Sequence, residues 1–301
     1  MAAPPIGWPL THRNPIDSMN EPWTSPEYLA AATNKHRQGS FVITSRKLPI
    51  SKAGPIEAME KDIKIPVPEM IFGDNLVSIT HAPTGWRIEF NARDALDAVD
   101  KTGDNMLRVA YASEWSASRE QTSAGIREIV RPFDWSYSTT YKGTVVHGQG
   151  VVDTDAGTRG TREFAPTDEP IPFELLKRRD PIQFFDDVML YESELDDNGI
   201  SIMSVKLRVH DERMLLLCRL YMRLDNVVCR IRDTRIYVNF ASEVVTREYV
   251  VKEANFNEVK QALLISGLRP DGITIALRDA NRIADILPTI SQTLESVSLI
   301  S

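Results

Sequence analysis

Residues 187–238 constrain the fold more than any other stretch of the chain. Four apolar and alternating runs are separated by Asp196-Asp197-Asn198-Gly199, His210-Asp211-Glu212 and Asp225-Asn226. Three turn signals between four runs make an antiparallel meander. If Asp225-Asn226 is a two-residue turn, Leu224 pairs with Val227. Period two then puts Cys218, Leu220, Met222, Leu224, Val227, Cys229 and Ile231 on one face, with Asp233 at its far end. Arg219, Tyr221, Arg223, Val228, Arg230 and Arg232 take the other face, and a one-residue slip would scramble the division.

This register predicts Cys218 opposite Asp233 and Cys229 opposite Met222. The two rungs lie roughly 13 Å apart, whereas a disulfide needs Cα atoms within about 7 Å, so two free, buried thiols are expected. From Lys206 to Arg235 there are eight Lys/Arg against four Asp/Glu. Arginines beside an aromatic suit a carboxylate or an acidic peptide. The same face could equally be solvated, its arginines paired with acids on neighbouring strands.

The rest of the chain reads as strands and short helices. The proline-rich residues 1–35 look like a flexible arm with a short helix near Tyr28 to Ala32. Residues 40–44 read as the first strand of the folded body, and Pro55 to Ile63 has helical spacing. Leu76 to His81 and Trp86 to Phe90 form a hairpin, after which Asn91 caps a short helix with Asp94 in its first turn. Trp135, Tyr137, Thr139 and Tyr141 are expected on one face of a strand from Asp134 to Lys142. Residues 145–170 have the composition of a mobile loop. Asp180-Pro181 predicts a helix through Phe184 and Phe185. Helical spacing recurs at Ile283, Ile286 and Leu287, and again at Ile290, Leu294 and Val297. The fold class expected is α+β: one domain, with a mainly antiparallel sheet flanked by short helices.

Composition narrows the function. Apolar residues make up 42% of the 301 and charged residues 26%, as in ordinary globular chains. The net charge of -7 disfavours nucleic acid as a partner. Met1 to Leu10 lacks the pattern of a secretory signal, the longest apolar run is far too short to span a membrane, and two cysteines suit a reducing compartment. The cytoplasm is the expected location, with entry to the nucleus open.

No Walker loop, G-x-G-x-x-G, G-x-S-x-G or H-E-x-x-H motif occurs. The five histidines stand far apart, so neither a zinc site nor any other cofactor is expected. Glu194 to Gly199 resembles a calcium loop only superficially, since Val205 stands where the bidentate glutamate belongs, and a hairpin turn fits better. Nothing brings Asp186-Asp187 to a nucleophile. These readings point away from an enzyme.

Several longer stretches carry a resemblance. They are Pro68-Glu-Met-Ile-Phe-Gly-Asp-Asn75, Ile88-Glu-Phe-Asn-Ala-Arg-Asp-Ala-Leu96, Asp134-Trp-Ser-Tyr-Ser-Thr-Thr-Tyr-Lys-Gly-Thr144, Val205-Lys-Leu-Arg-Val209, Arg230-Ile-Arg-Asp-Thr-Arg-Ile-Tyr237 and Arg247-Glu-Tyr249. In this order they resemble the TIPRL, or Tip-forty-one, regulators of type 2A phosphatases in TOR signalling. The resemblance implies a phosphatase-binding domain over residues 36–298. It implies binding to the catalytic subunits of type 2A, 4 and 6 phosphatases, including their acidic-aromatic C-terminal tail, with an adaptor of the Tap/alpha-four kind as a further partner. It also implies that contact depends on Asp94, Ile171, Ile231 and Asp233.

Such a tail wants arginines beside apolar walls. Arg219, Arg230, Arg232 and Arg235 could supply the charge, and Trp135, Tyr137, Tyr141 and Phe72 the walls. Trp135 and Phe72 could instead be core, Phe72-Gly73-Asp74 only a tight turn, and Asp94 only a helix cap. A nucleic-acid-binding module using the arginine face is the alternative function, and an unrecognised hydrolase a third.

Overall fold

The computed structural model describes residues 25–101, 133–148 and 162–300. A five-stranded sheet is built from β1 (Thr33–Gln38), β2 (Phe41–Arg46), β4 (Leu76–His81), β5 (Arg87–Asn91) and β6 (Thr144–Val146). An eight-stranded sheet runs in the order β3 (Met70–Ile71), β8 (Phe184–Ser193), β9 (Gly199–Val209), β10 (Arg213–Leu224), β11 (Val228–Asn239), β12 (Val244–Asn255), β13 (Thr289–Ser298) and β7 (Ala165–Pro166). All pairings are antiparallel. The helices are short: α1 (Pro26–Ala31), α2 (Ala53–Ile63), α3 (Ala92–Asp97), α4 (Phe173–Leu176), α5 (Phe256–Ile265), α6 (Pro270–Ala276) and α7 (Ala280–Ile286). The class is α+β in one domain, with two sheets where the sequence suggested one.

Layering follows from side-chain parity. On the first face of the large sheet, Val205, Leu207, Leu216, Leu220, Ile236 and Val238 pack against Phe41, Ile43, Ile79, Ile88 and Phe90 of the small sheet. Each such side chain contributes about 1.5–3 kcal/mol when fully buried. On the second face, Tyr221, Cys229 and Ile231 pack under Phe256, Val259, Leu263, Ile273 and Ile283 of α5 to α7. One sheet therefore separates two cores.

The meander is as the sequence predicts, and it extends through β12 and β13. The hairpin at Asp196 to Gly199 is a turn with Leu195, Asp196 and Asp197 all at positive φ. The next hairpin differs by one residue. Leu224 pairs with Val228, not Val227, because the loop holds three residues. Asn226 is left-handed at φ 64, a conformation asparagine tolerates, and the Val227 N–H donates to Leu224 O while its carbonyl accepts from Phe256. The slip redistributes the arginines: Arg219 now faces Asp233, Leu220 faces Arg232, and Met222 faces Arg230. Cys218 lies opposite Thr234 and Cys229 opposite Arg223, on opposite faces, and both thiols are free.

Four other expectations are corrected. Phe184 and Phe185 begin strand β8, not a helix, and the supposed cap Asp180 is bound by Arg213 instead. Thr289 to Ser298 is a strand on β12, where β-branched residues after Pro288 favour extension over helix. Residues 134–142 are irregular apart from the bridge Val99–Thr139. Tyr137 at φ 55 breaks the alternation, and the Ser136 N–H and hydroxyl both donate to Asp134 Oδ1. Residues 41–46 form the second strand, since β1 precedes it, so the described end of the predicted arm holds α1 and the start of β1. Of the predicted loop 145–170, β6 and β7 lie at the two ends and 149–161 fall outside the described residues.

Candidate partner-binding site

Strand β11 is the axis of the site. Parity sends Arg230, Arg232 and Thr234 to the first face and Ile231, Asp233 and Arg235 to the second. The expected face carrying four arginines therefore does not exist. Its members are divided across the sheet, and the nucleic-acid reading loses its surface with them.

On the second face, Arg219 forks onto Asp233, with Nε to Oδ1 and Nη2 to Oδ2 both at 2.7 Å. Arg235 donates to Asp233 Oδ2 at 3.0 Å and to Glu248 Oε2 at 2.6 Å. Gln292 donates to the other Glu248 oxygen, and Arg219 Nη1 reaches Asn281 Oδ1 on α7. Asp233 is only 1% exposed. This ladder crosses β10 to β13 and ties α7 to the sheet, and every charge in it is met by the chain itself. Ile231 and Ile171 are also buried.

The first face is different. Arg230, 1% exposed, donates Nε to Glu253 and Nη1 to Ser138 Oγ at 2.8 Å. Its Nη2 has no hydrogen-bond partner among the described residues, and neither has Arg232 Nε. Burial pushes the Arg232 guanidinium below its ordinary pKa, and the neighbouring Arg230 adds to the effect. The Tyr249 side chain lies beside Arg232, but its hydroxyl makes no hydrogen bond of good geometry, and burial raises its pKa. Lys142 Nζ stands 4.8 Å over the Tyr249 ring. Gly143 allows the chain to turn there: at φ 92 its place for a Cβ lies 2.8 Å from Phe90 Cζ. Two guanidiniums, an ammonium and a phenol thus line one face, with Glu253 bonded to Arg230 and the carboxylates of Asp134 and Glu253 both acting on Arg232. Such a cluster can accept an added carboxylate.

Tyr141 joins this cluster from the side. Its carbonyl accepts from Thr234, and its hydroxyl donates to Glu89 O at 2.9 Å. Trp135 packs on the first core and Tyr137 is within it; Phe72 is half-buried, donating its N–H to Leu190 O. Asp94 lies beyond Tyr141 on α3. Its carboxylate accepts from Thr144, Asn91 at 3.0 Å and Arg93 at 3.1 Å. Burial opposes its charge, but these hydrogen bonds outweigh burial and hold its pKa below the usual range. Asp94 and Asp233 therefore sit on different sides of the large sheet. The sequence reading missed Tyr249, Lys142, Glu253 and Ser138 as members of this cluster. Tyr249 stood in a quoted stretch, but only the β11–β12 register places it beside Arg232.

Comparison with known proteins agrees with the resemblance. The model of the TIP41-like family matches residues 70–260. A TIP41-like protein of Dictyostelium discoideum is 36% identical over 266 residues, covering 87% of this chain and 91% of that protein. A human TIP41-like protein is 38% identical over 222 residues, 73% of this chain and 77% of its own. The Type 2A phosphatase activator TIP41 of Saccharomyces cerevisiae is 37% identical over 272 residues, 85% of this chain and 72% of its own. With the family model spanning more than half its length and relatives matching over most of it, this chain belongs to the TIP41-like family.

Proposed function

We propose that the protein is a non-catalytic regulator that binds the catalytic subunits of type 2A, 4 and 6 phosphatases and takes their acidic C-terminal tail in the cleft formed by Arg230, Arg232, Tyr249 and Lys142. The observation that carries this reading is the set of buried donors without partners, Arg230 Nη2, Arg232 Nε and the Tyr249 hydroxyl. Each such donor costs about 1–3 kcal/mol when left unmet, and a carboxylate arriving among them recovers part of that cost. The names of the yeast relatives as type 2A phosphatase activators support the choice of partner.

In this reading Tyr141 and Lys142 wall the cleft, while Trp135 and Tyr137 hold the irregular segment that carries them. Ile171, Ile231 and Asp233 are buried, so they act by keeping β11 and its neighbours in place. Asp94 serves the same end by tying α3 to Thr144. Regulation works through binding energy alone, in TOR signalling, in the cytoplasm and nucleus, with an adaptor of the Tap/alpha-four kind as a further partner.

The test is a titration with a synthetic phosphatase tail carrying either a free or an amidated C-terminus. The free acid binds, and amidation or Arg232→Gln weakens it by about tenfold or more, the worth of one charge-assisted contact. Equal affinity for the two peptides defeats the assignment of the cleft.

A further inference from the structure

The second face of the large sheet is only partly roofed. Helices α5 to α7 cover Tyr221, Cys229 and Ile231. A strap covers the other end: Thr167 donates its N–H to Leu294 O, Arg213 donates to Leu175 O and binds Asp180, and His210 Nδ1 lies 2.9 Å from Pro181 O. Between these coverings the β8 to β10 side is open. The register lines up Phe185, Arg208 and Leu215 in one row, and Asp187, Lys206 and Leu217 in the next.

Phe185 is 55% exposed, and Leu215 and Leu217 are half-buried. Phe173, 41% exposed, stands on the strap 5.8 Å from the guanidinium of Arg235, which is the β11 neighbour of Leu217. Exposed aromatics gathered with leucines on a sheet face, rimmed by charge, mark an interaction surface. The rim carries charges of both signs, Glu174, Asp180 and Asp187 among them, but two of its cations are left over. Lys206 pairs with Asp187, but Arg208 on the floor and Arg179 on the strap make no ion pair among the described residues. In a chain of net charge -7, unpaired arginines beside exposed phenylalanine favour an acidic partner with apolar side chains.

We propose that this corner is a second docking surface, which takes an acidic segment with apolar side chains from the body of the phosphatase catalytic subunit, outside its tail. This rests on the phosphatase reading above, in which the tail occupies the opposite face of the sheet. A segment reaching Phe185 and Arg208 is therefore supplied by another part of the same partner. The strap is pinned at Arg213 and His210, so the surface is formed before the partner arrives.

The test uses two probes, a catalytic subunit lacking its tail and the synthetic tail peptide, against wild type, Phe185→Ser and Arg208→Glu. Both substitutions fall on exposed side chains. Each should weaken the tail-less subunit by about tenfold, as for a central interface residue, and leave peptide affinity within about twofold, as for a distant independent site. Salt should shrink the Arg208→Glu effect and spare that of Phe185→Ser. The proposal falls if neither variant changes affinity for the tail-less subunit, or if that subunit does not bind the wild type. If the peptide fails to bind while the tail-less subunit still distinguishes the variants, the corner stands and the tail cleft is lost.

Discussion

The two faces of β11 hold the same kind of side chain in opposite conditions. On the second face, Arg219 and Arg235 are saturated by Asp233, Glu248 and Asn281. On the first, Arg230 and Arg232 keep buried nitrogens without partners. One alternation in a single strand separates a clamp from a cluster with unmet donors. An arginine's residue type therefore says little about its role until its neighbours across the strand are known: a guanidinium forked onto its own chain's acids holds the fold, and one that keeps a buried N–H unmet can take a ligand.

The comparison can be broken most severely at Asp233. Replacing it with alanine leaves two arginines around a buried site without their shared carboxylate, and about 3–5 kcal/mol of stability should be lost. Urea unfolding measures this, and a loss below 1 kcal/mol, the worth of an exposed pair, would show that the ladder is not a clamp. Arg232→Met should do the reverse. Removing a buried charge with no ion pair should leave stability unchanged or raise it by about 1–3 kcal/mol, while tail affinity falls. If this variant unfolds as readily as Asp233→Ala, the two faces are alike.

Asn226 tests the origin of the difference. Asn226→Ala removes the short polar side chain that lets asparagine tolerate a left-handed position and should cost up to about 1 kcal/mol, whereas Asn226→Gly, with no Cβ, should cost nothing or stabilise slightly. Equal melting temperatures for the two variants would mean that the loop does not set the register.

Asp94 gives the smallest effect. Its folded pKa lies below the ordinary value of 3.8, so its contribution to stability is complete above that value. The contribution is lost as pH falls through the depressed folded pKa. Wild type should therefore exceed Asp94→Asn in stability at pH 6, and the gap should narrow toward pH 3. A gap that does not change with pH would mean that the carboxylate is not engaged.

Much of the fold was legible in the sequence. The meander, the hairpin at residues 76–90 and the Asn91 cap all follow from period, turn chemistry and spacing, while the free thiols were expected from a register that proved one residue out. The register was not legible, because a two-residue and a three-residue loop at Asp225-Asn226 differ only in whether Asn226 goes left-handed and Val227 turns inward, which tertiary contact with Phe256 decides. Residues 134–142 alternate like a strand, but Asp134 offers the backbone a local turn that wins. Ile290, Leu294 and Val297 fit a helix by spacing, yet the open edge of β12 needed a strand. The site suffered most from the register: Arg230 and Arg232 were named from sequence, but their partners Tyr249 and Glu253 depend on a pairing that no local pattern encodes.

The two cysteines point into separate cores, and burial pushes the thiol of Cys229 up to about 12 and that of Cys218 higher still. Neither offers a thiolate to an oxidant or an alkylating reagent in the native state. Iodoacetamide labelling would then proceed only as fast as each core opens. Mass spectrometry of the two cysteine peptides could thus time the loosening of the helical layer separately from that of the paired sheets, without any engineered probe.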